Sequence, residues 1–380
     1  MKRLSVLSFR ELIYIFLISV VPAVLMWLPF VLRLDQLLFL PIRDPGMFNI
    51  IRNWDGPNYI VVAKTWYDTQ EVAKYLILPY SAIYFTAHLP LYPATLLLLS
   101  PVFGWLYSGV ASTLIFGFLL NLVFYMVARK YTKHPMLLTF VFTIFPARYL
   151  VLRGVIAPET LLVFLMLLAF WFWEVNKVLY AAIAGALAIL TKVQAIFLMP
   201  AFGAVILERF IRKEKHAWRW EYLWLGIMPA ALLGLCFLYF FRTGDFFAFL
   251  NAQKGNGLEM TIPFAQFNFT NPWVSTGWVE DVLIYVVFLF FLVISLKDSK
   301  ERSWFWFALF YTVFILCIPQ RDINRLAYPL SPIFLLQFQG FFTSKAFKWA
   351  LILALPAVYL YTINFLLTNQ APVSDWSAFL

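Results

Sequence analysis

The run from Leu12 to Leu32, LIYIFLISVVPAVLMWLPFVL, contains no charged residue. It is as long as a transmembrane helix, which needs about 20 apolar residues to cross the hydrocarbon core of a bilayer. Lys2, Arg3 and Arg10 precede the run, as basic residues precede the apolar part of a signal peptide. The run is longer than such a part, and no small-residue cleavage site follows it. We therefore expect a retained first membrane span.

The composition of the whole chain indicates many such spans. Of its 380 residues, 63% are hydrophobic and 13% are charged, whereas soluble domains are about half apolar and a quarter charged. The apolar runs are continuous, which argues against the alternating strands of a β-barrel. We predict an all-α polytopic membrane protein, a single domain over residues 1–380 with about 10–11 transmembrane helices. The candidate spans are 12–32, 110–128, 136–150, 159–175, 178–191, 194–208, 222–241, 279–297, 303–318, 327–342 and 346–367.

The segment 89–106, LPLYPATLLLLSPVFGWL, is ambiguous because prolines interrupt it and it is only about one bilayer long. It could cross the membrane, or it could lie in the outer interface as a re-entrant helix. If the N-terminus is cytoplasmic and the segment does not cross, most Lys and Arg residues fall on the cytoplasmic side, as the positive-inside rule requires. This arrangement leaves two long extracytoplasmic loops, 33–109 and 242–278.

Charge, cysteine and histidine content add little about function. The formal net charge of +10 fits basic cytoplasmic loops, and no basic-aromatic motif for nucleic acid accompanies it. Cys236 and Cys317 both lie in apolar runs, so we expect packing rather than a disulfide. His88, His134 and His216 are scattered without metal-ligand spacing. Composition alone therefore stops at a polytopic membrane protein.

Just after the first span, residues 52–59 read RNWDGPNY and hold a carboxylate beside an indole. The Gly-Pro pair predicts a turn into a helix over 57–68. That helix would carry aromatic residues on one face and a polar strip of Lys64 and Asp68 on another. Such a pattern is typical of a helix that lies in the membrane interface.

Asp55 stands at the start of this predicted helix, and two roles are open for it. An Asp at a helix start commonly accepts hydrogen bonds from free N–H groups, which contributes about 1 kcal/mol. The local sequence by itself favours this capping role. The alternative is a general base that accepts a proton from an attacking hydroxyl. Trp54 could anchor the loop among lipid headgroups or stack on a sugar face.

Five short motifs in chain order resemble the PIG-V family of mannosyltransferases, which are GT-C-class membrane glycosyltransferases. The string Trp54-Asp55-Gly56-x-x-Tyr59 resembles the family signature W-D-G-x-x-Y. The other similar segments are LPLYP at 89–93 to F-P-L-Y-P, FPARYLVLRGVIAPETLLVF at 145–164 to F-P … A-P-Y-T-E-x-x-F, TKVQAIFL at 191–198 to T-R-S-N-G-L-x-L, and NRLAYPLSPIF at 324–334 to R-Y … F-P-L-F. The chain departs from the family where Glu159 replaces the Tyr of A-P-Y-T-E and Leu161 replaces its Glu.

The resemblance implies a GT-C helical bundle that moves a sugar, mannose in this family, from a polyprenyl-phosphate donor to the hydroxyl of a glycan or lipid acceptor, as in glycolipid biosynthesis. It implies inverting transfer with Asp55 as the general base. Cations on the same face would stabilise the departing lipid phosphate, although headgroup contact accounts equally well for any one of them. The donor phosphate-binding candidates are Arg148, Arg153, Lys192, Arg321 and Arg325. The substrate-binding candidates are Trp54, Tyr59, Arg52, Tyr92 and Glu159.

The same resemblance implies that no metal or other cofactor is needed, as is thought for family members with lipid monophosphate donors. The alternative is a divalent cation held by Asp44, Asp55, Asp68 and Glu71, which share one loop. The expected location is the plasma membrane in a prokaryote, or the endoplasmic reticulum in a eukaryote, with an extracytoplasmic active site. Two other functions stay open, a flippase or transporter for a lipid-linked sugar and a non-catalytic membrane scaffold.

Overall fold

The computed structural model describes residues 7–43, 46–75, 81–215, 217–255, 259–268, 270, 274–319, 322–371, 373 and 379. Most of this backbone is helical, which confirms the predicted all-α class. The α-helices are α1 Phe9–Val31, α2 Phe48–Ile51, α3 Gly56–Thr65, α4 Thr69–Ala73, α5 Leu91–Ala128, α6 Pro135–Ile144, α7 Ala147–Leu152, α8 Glu159–Glu174, α9 Val178–Thr191, α10 Leu198–Ile211, α11 Ile227–Thr243, α12 Ala248–Gly255, α13 Thr276–Ser295, α14 Arg302–Leu316, α15 Ile323–Ala327, α16 Ser331–Gln337, α17 Gln339–Phe342 and α18 Lys345–Thr368. The remaining elements are an antiparallel hairpin of β1 Gln36–Leu37 and β2 Leu40–Pro41, and 3₁₀ turns at Ala82–Ala87, Val193–Phe197, Trp220–Gly226, Ala265–Phe267 and Tyr328–Leu330.

Within the described residues, six helices are long and apolar enough to cross a membrane. They are Phe9–Val31, Leu91–Ala128, Val193–Ile211, Trp220–Thr243, Gly277–Ser295 and Lys345–Thr368. Shorter apolar helices cover Pro135–Ile144, Val178–Thr191 and Arg302–Leu316. The multi-pass membrane architecture is therefore confirmed. The predicted number of 10–11 spans exceeds the number of full-length helices, because several apolar runs fold into helices shorter than a bilayer is thick.

Two predicted spans are interrupted at prolines. The run 136–150 forms α6 and α7, and the break lies at Phe145, whose backbone is extended at φ −132° and ψ 132° before Pro146. A proline ring disfavours the helical conformation of the residue before it. The run 327–342 forms a 3₁₀ turn that contains Pro329, followed by α16 and α17. Both runs are apolar and helical as predicted, but each is divided into shorter helical elements.

α5 is a helical hairpin, which is the shape expected if the segment 89–106 is re-entrant. Its backbone leaves the helical region only at Gly104, at φ 71° and ψ 166°. The two arms fold back on each other, because the Tyr92 hydroxyl lies 2.8 Å from Thr113 Oγ1 and Thr95 Oγ1 lies 2.7 Å from Ser112 Oγ. The first arm, from Leu91 to the break, is well short of the about 20 residues that a span needs. The folded-back shape is the one expected of the re-entrant alternative.

α3 is not the interfacial helix that its sequence pattern predicts. Residues 56–63 and Thr65 are all buried, and the helix packs against the α5 hairpin. The prediction was wrong because the sequence pattern of α3 does not reveal that the α5 arms cover its outer face. α3 is thus a core element that carries the WDG motif at its start.

The polar strip of Lys64 and Asp68 is absent for a related reason. α3 ends at Thr65, and Trp66 and Tyr67 follow with positive φ angles of 47° and 65°. Lys64 Nζ lies 5.4 Å from the centroid of the Trp105 ring, and burial lowers the pKa of this ammonium group. Asp68 lies beyond the turn and begins α4.

The chain forms two compact units. The first consists of Met1–Phe164 and Phe338–Leu380, and the second of Leu165–Gln337. In the first unit, α1, α5 and α6 pack together, and α18 packs against α7 and α2. In the second unit, α9 packs against α11 and α10 packs against α14. The WDG motif and the last helix of the chain therefore belong to the same unit.

Candidate active site

The backbone of the WDG loop is fixed by the end of α18. Trp54 N–H donates to the Asn369 carbonyl at 3.2 Å, and the N–H of Ala371 donates to the Arg52 carbonyl at 2.7 Å. The buried Asn53 side chain donates to the Leu366 carbonyl at 2.9 Å. Segments more than 300 residues apart in sequence thus hold each other. Because three hydrogen bonds restrain it, the loop presents Asp55 from a defined backbone position.

Gly56 is required by a close approach of the backbone. A Cβ atom at this position would lie 2.3 Å from the Ile51 carbonyl oxygen and 3.3 Å from Cβ of Ile156. A backbone carbonyl cannot rotate away as a flexible side chain could, so any larger residue displaces the loop. Pro57 occupies the first turn of α3, where its missing N–H is not needed. The chain therefore turns directly from Asp55 into a buried helix.

Asp55 does not cap the helix that it precedes. It occupies the N-cap position of α3 with φ −92° and ψ 15°, and its side chain makes no capping hydrogen bond. The carboxylate is about one-third exposed, and Oδ1 lies 3.9 Å from Nε2 of His88, which is 4% exposed. An exposed carboxylate beside a buried imidazole can accept a proton from a bound hydroxyl. The capping role that the local sequence favoured is not the role seen here.

His88 is a site residue that the sequence did not reveal. It follows the 3₁₀ turn Ala82–Ala87, and the Tyr67 hydroxyl donates to its carbonyl at 2.6 Å. Tyr59 and Tyr84 pack edge-on against the imidazole, with ring centroids 4.9 Å and 5.3 Å away. From the sequence, this histidine is considered only as a metal ligand, and metal-ligand spacing does not detect a histidine that lies beside a carboxylate. Its position directly before the LPLYP motif was the available signal.

Trp54, the residue before Asp55, belongs to one cluster with Arg148 and residues of α18. The rings of Trp54 and Phe365 have centroids 4.8 Å apart. The Arg148 guanidinium carbon lies 4.0 Å from the Phe365 centroid and 5.9 Å from the Trp54 centroid. Arg148 Nε also donates to the Tyr361 hydroxyl at 3.0 Å. The structure thus brings a predicted phosphate-binding cation to the residue that precedes the predicted base.

Tyr59, Tyr92 and Glu159 lie beneath the site rather than at its surface. The Tyr92 ring packs edge-on against Tyr59 at 5.1 Å, and both side chains are buried. The buried Glu159 interacts electrostatically with Tyr92. The sequence predicted direct contact of all three with the substrate. In this structure Tyr92 packs on Tyr59, and Tyr59 packs on His88.

Two solved structures of membrane proteins are similar to this chain. ArnT from Cupriavidus metallidurans, bound to undecaprenyl phosphate, is 14% identical, with a TM-score of 0.56 over 91% of this chain and 63% of ArnT. The oligosaccharyltransferase of Archaeoglobus fulgidus in its apo form is 11% identical, with a TM-score of 0.54 over 97% of this chain and 58% of that protein. Both are GT-C membrane glycosyltransferases. This chain has the GT-C membrane fold.

The similarity covers the fold and leaves the finer family open. The chain spans about three-fifths of the length of these two GT-C proteins. No protein-family model and no curated protein sequence matches it. Membership of the PIG-V family, and mannose as the sugar, therefore remain predictions.

Arg153 and Arg52 bind other side chains in the first unit of the GT-C fold. Arg153 is buried, and its guanidinium donates to Asn121 Oδ1 at 2.8 Å and to the Phe142 carbonyl at 3.2 Å. These contacts give Arg153 a packing role within the helices. Arg52 Nη2 donates to Asn49 Oδ1 at 3.0 Å. Arg52 stands two residues before Trp54, and Arg148 is the predicted phosphate-binding cation that packs on the Trp54 ring.

The other predicted cations belong to the second unit or lie outside the described residues. Lys192 stands between α9 and the 3₁₀ turn Val193–Phe197, and Arg325 lies in α15. α14 packs against both of these segments, and the Tyr311 hydroxyl of α14 donates to the Leu326 carbonyl at 2.8 Å. Arg321 lies outside the described residues.

Two of the four carboxylates named as a possible cation site make hydrogen bonds or an ion pair within or next to α4. Asp68 Oδ1 accepts from the N–H groups of Gln70 and Glu71 at 3.0 Å and 3.1 Å. The Glu71 carboxylate pairs with Lys74 at 2.6 Å. Asp44 lies outside the described residues. Asp55 thus differs from the other described members, whose contacts are explained by local helix structure.

Proposed function

We propose that this protein is a glycosyltransferase that moves a sugar, mannose by its sequence resemblance, from a polyprenyl-phosphate donor to a hydroxyl of an extracytoplasmic glycan or lipid. The observation that carries the proposal is the state of Asp55. Its carboxylate stands at a helix start without capping the helix, is partly exposed and lies 3.9 Å from the buried His88, while the adjacent Trp54 packs with Arg148. The GT-C fold supports the same class of reaction.

In the proposed reaction, the acceptor oxygen attacks the anomeric carbon of the donor from the face opposite the phosphate. The bond between that carbon and the phosphate oxygen breaks, and its electron pair leaves with the lipid phosphate. Asp55 takes the proton of the attacking hydroxyl, and the single displacement from the opposite face inverts the configuration at the anomeric carbon. General base catalysis of this kind contributes about 10²–10⁴-fold.

Arg148 is the residue that we assign to the departing phosphate. Negative charge grows on that phosphate as the glycosidic bond breaks, and a fixed cation stabilises it. The guanidinium group stays protonated and matches phosphate oxygens with a planar pair of donors. Trp54 precedes Asp55 in sequence and packs with Arg148, and we assign its aromatic ring to the face of the sugar. Lys192, Arg321 and Arg325 remain candidate phosphate ligands of the second unit.

The donor class is supported from two directions. The motifs around Asp55 resemble a family that uses polyprenyl-phosphate sugars, and the similar GT-C protein ArnT binds undecaprenyl phosphate. Because the phosphate is assigned to side-chain cations, we expect transfer to continue after treatment with EDTA. Loss of transfer with EDTA, restored by a divalent cation, would contradict that part of the proposal.

The test is transfer by the purified protein in liposomes. The donors are polyprenyl phosphates that carry radiolabelled mannose or another hexose, and the acceptors are lipid and glycan extracts of a deletion strain. We expect labelled product from the native chain and none above background from Asp55→Asn. Asp68→Asn is the matched control and should remain active. Full activity of Asp55→Asn would exclude Asp55 as the base.

The same liposomes separate the transferase from a flippase. A transferase forms a new glycosidic bond, which mass spectrometry of the products detects. A flippase changes only the membrane side on which the labelled donor is accessible to periodate or a soluble hydrolase. Movement of the donor without a new bond would replace the proposed function with the transport function.

A further inference from the structure

We propose that His88 is a positioning residue that orients the carboxylate of Asp55, through donation from its Nε2–H to Oδ1. The inference deepens the proposed function and rests on it. No motif of the sequence resemblance includes this histidine. Its role follows from three features of the structure: its distance from Asp55, the environment of its other nitrogen, and the way its ring is held.

The distance identifies which nitrogen faces the base. Nε2 of His88 lies 3.9 Å from Oδ1 of Asp55. This separation is longer than a direct hydrogen bond, but catalytic hydrogen bonds are often long without substrate and shorten when the substrate is bound. A single water can also bridge such a gap. The carboxylate needs only a small rotation to reach the imidazole.

The other nitrogen has no structural task. Nδ1 of His88 is buried and has no hydrogen-bond partner within the described part of the chain. Buried polar atoms are normally paired when they serve packing alone. The neighbouring side chains of Tyr59, Tyr84 and Phe85 present rings to the imidazole, and phenylalanine would fill such a space. The nitrogen that explains a histidine here is therefore Nε2.

The ring is held so that Nε2 keeps its direction. The Tyr67 hydroxyl binds the His88 carbonyl, and Tyr59 and Tyr84 pack edge-on against the imidazole. Tyr59 is itself supported by Tyr92, whose hydroxyl is bound to Thr113. A residue fixed in this way can limit the rotation of a partly exposed carboxylate. With the Nε2–H of His88 directed to Oδ1, Oδ2 of Asp55 is the oxygen that we assign to accept the proton of the acceptor hydroxyl.

The proton balance of this arrangement is simple. In this role His88 donates from Nε2 and keeps that proton throughout the transfer. The proton from the acceptor hydroxyl ends on Asp55, which later loses it to solvent. His88 thus acts only through Asp55, so it should affect the rate of transfer more than the binding of the donor.

The test compares four variants in the transfer assay. In His88→Gln the side-chain amide nitrogen can take the place of Nε2, so we expect most of the turnover to remain. In His88→Asn the amide reaches only the Nδ1 position, and in His88→Phe the ring is kept without nitrogen. For both we expect kcat to fall about 10- to 100-fold, the range seen when outer-sphere partners of metal ligands are lost, with KM for the donor unchanged. His134→Gln, an exposed histidine of the same unit, is the matched control and should behave as the native chain.

The outcomes distinguish this inference from the proposed function. If Asp55→Asn is inactive while His88→Phe has native kcat, the positioning role is wrong and the transferase stands. If Asp55→Asn retains native activity, or if the native chain transfers no sugar from any donor, the proposed function fails and this inference fails with it. If His88→Gln and His88→Phe are equally impaired with unchanged melting temperatures, donation from Nε2 is excluded. The His88→Phe variant keeps the ring packing, so loss of folding does not obscure the result.

Discussion

Asp55 and Asp68 lie thirteen positions apart, and each occupies the N-cap position of a helix, but their side chains do different things. Asp68 has an extended backbone at φ −61° and ψ 118°, and its carboxylate accepts from two N–H groups of α4. Asp55 has φ −92° and ψ 15° and makes no capping hydrogen bond to α3. Capping requires the extended conformation, so the backbone decides between the two roles.

The hydrogen bonds to α18 account for the difference. The residue before Asp55 is Trp54, which has a positive φ of 47° and is tied to Asn369. The Asp68 carboxylate instead accepts from the Gln70 and Glu71 N–H groups of its own short helix. The fold therefore forgoes about 1 kcal/mol of capping at α3 and keeps a carboxylate available beside His88. Local departures from the most stable arrangement are common at functional sites.

The largest contrast should appear when each aspartate is replaced by alanine. We expect Asp55→Ala to lower the rate of sugar transfer by about 10²–10⁴-fold, because the general base is lost. Because no capping hydrogen bond is removed, its free energy of unfolding should fall by less than that of Asp68→Ala, which loses about 1 kcal/mol. Asp68→Ala should transfer sugar at the native rate. Equal losses of activity in the two variants would remove the distinction between them.

Some features of the two aspartates and their surroundings could be predicted from the sequence, and others could not. Apolar runs predicted the membrane class, since burial in lipid demands them along the chain. The resemblance around residues 52–59 identified Asp55, and Arg148 was among the cations named. The hydrogen bonds between the WDG loop and α18 could not be predicted from the sequence, because only the tertiary structure brings Asn53 to Leu366. Without those bonds the local sequence favours a capped Asp55, which the structure contradicts.

Two other features were missed for physical reasons that are just as specific. The reversal of α5 depends on one residue, Gly104, within a run that reads as continuous apolar helix. The only sequence signal at His88 is its position before the LPLYP motif, because the packing of Tyr59 and Tyr84 around its ring is tertiary. Sequence patterns report local periodicity well, and they report poorly on contacts made by a single side chain.

The second prediction concerns the cation next to each aspartate. Asp55 has Arg148 across the Trp54 ring, whereas the cation near Asp68 is Lys74, which pairs with Glu71. We expect Arg148→Gln to lower transfer by about 10²-fold, because the charge on the departing phosphate is no longer stabilised. Arg148→Lys should fall between Gln and the native chain, since it keeps the charge without the planar donors.

Lys74→Gln is the matched control for Arg148→Gln and should leave transfer unchanged. The measurement is the initial rate at saturating and at limiting donor concentrations. Native rates in Arg148→Gln would show that the cluster of Trp54 and Phe365 serves packing, and the donor phosphate would then have to be sought among the cations of the second unit.

The third prediction tests the backbone position of Asp55. Gly56→Ala places a Cβ within 2.3 Å of the Ile51 carbonyl, so the loop must shift. We expect the unfolding free energy to fall by about 1–3 kcal/mol, as for other overpacked sites. Transfer should fall by tenfold or more, because displacement by about 1 Å can reduce a rate by 10²-fold. Gly117→Ala is the control, since a Cβ there meets nothing within 4 Å.

The smallest expected effect is a loss of stability when Asp68 is replaced. Asp68→Ala removes the two hydrogen bonds to Gln70 and Glu71, which should lower stability by about 1 kcal/mol. Asp68→Asn keeps an oxygen that can accept the same bonds, so its melting temperature in detergent should stay close to native. At Asp55 the Ala and Asn variants should have similar melting temperatures, because neither substitution removes a capping hydrogen bond. If Asp55→Ala lowered the melting temperature as much as Asp68→Ala while Asp55→Asn did not, Asp55 would be a capping residue in solution and its assignment as a base would lose its support.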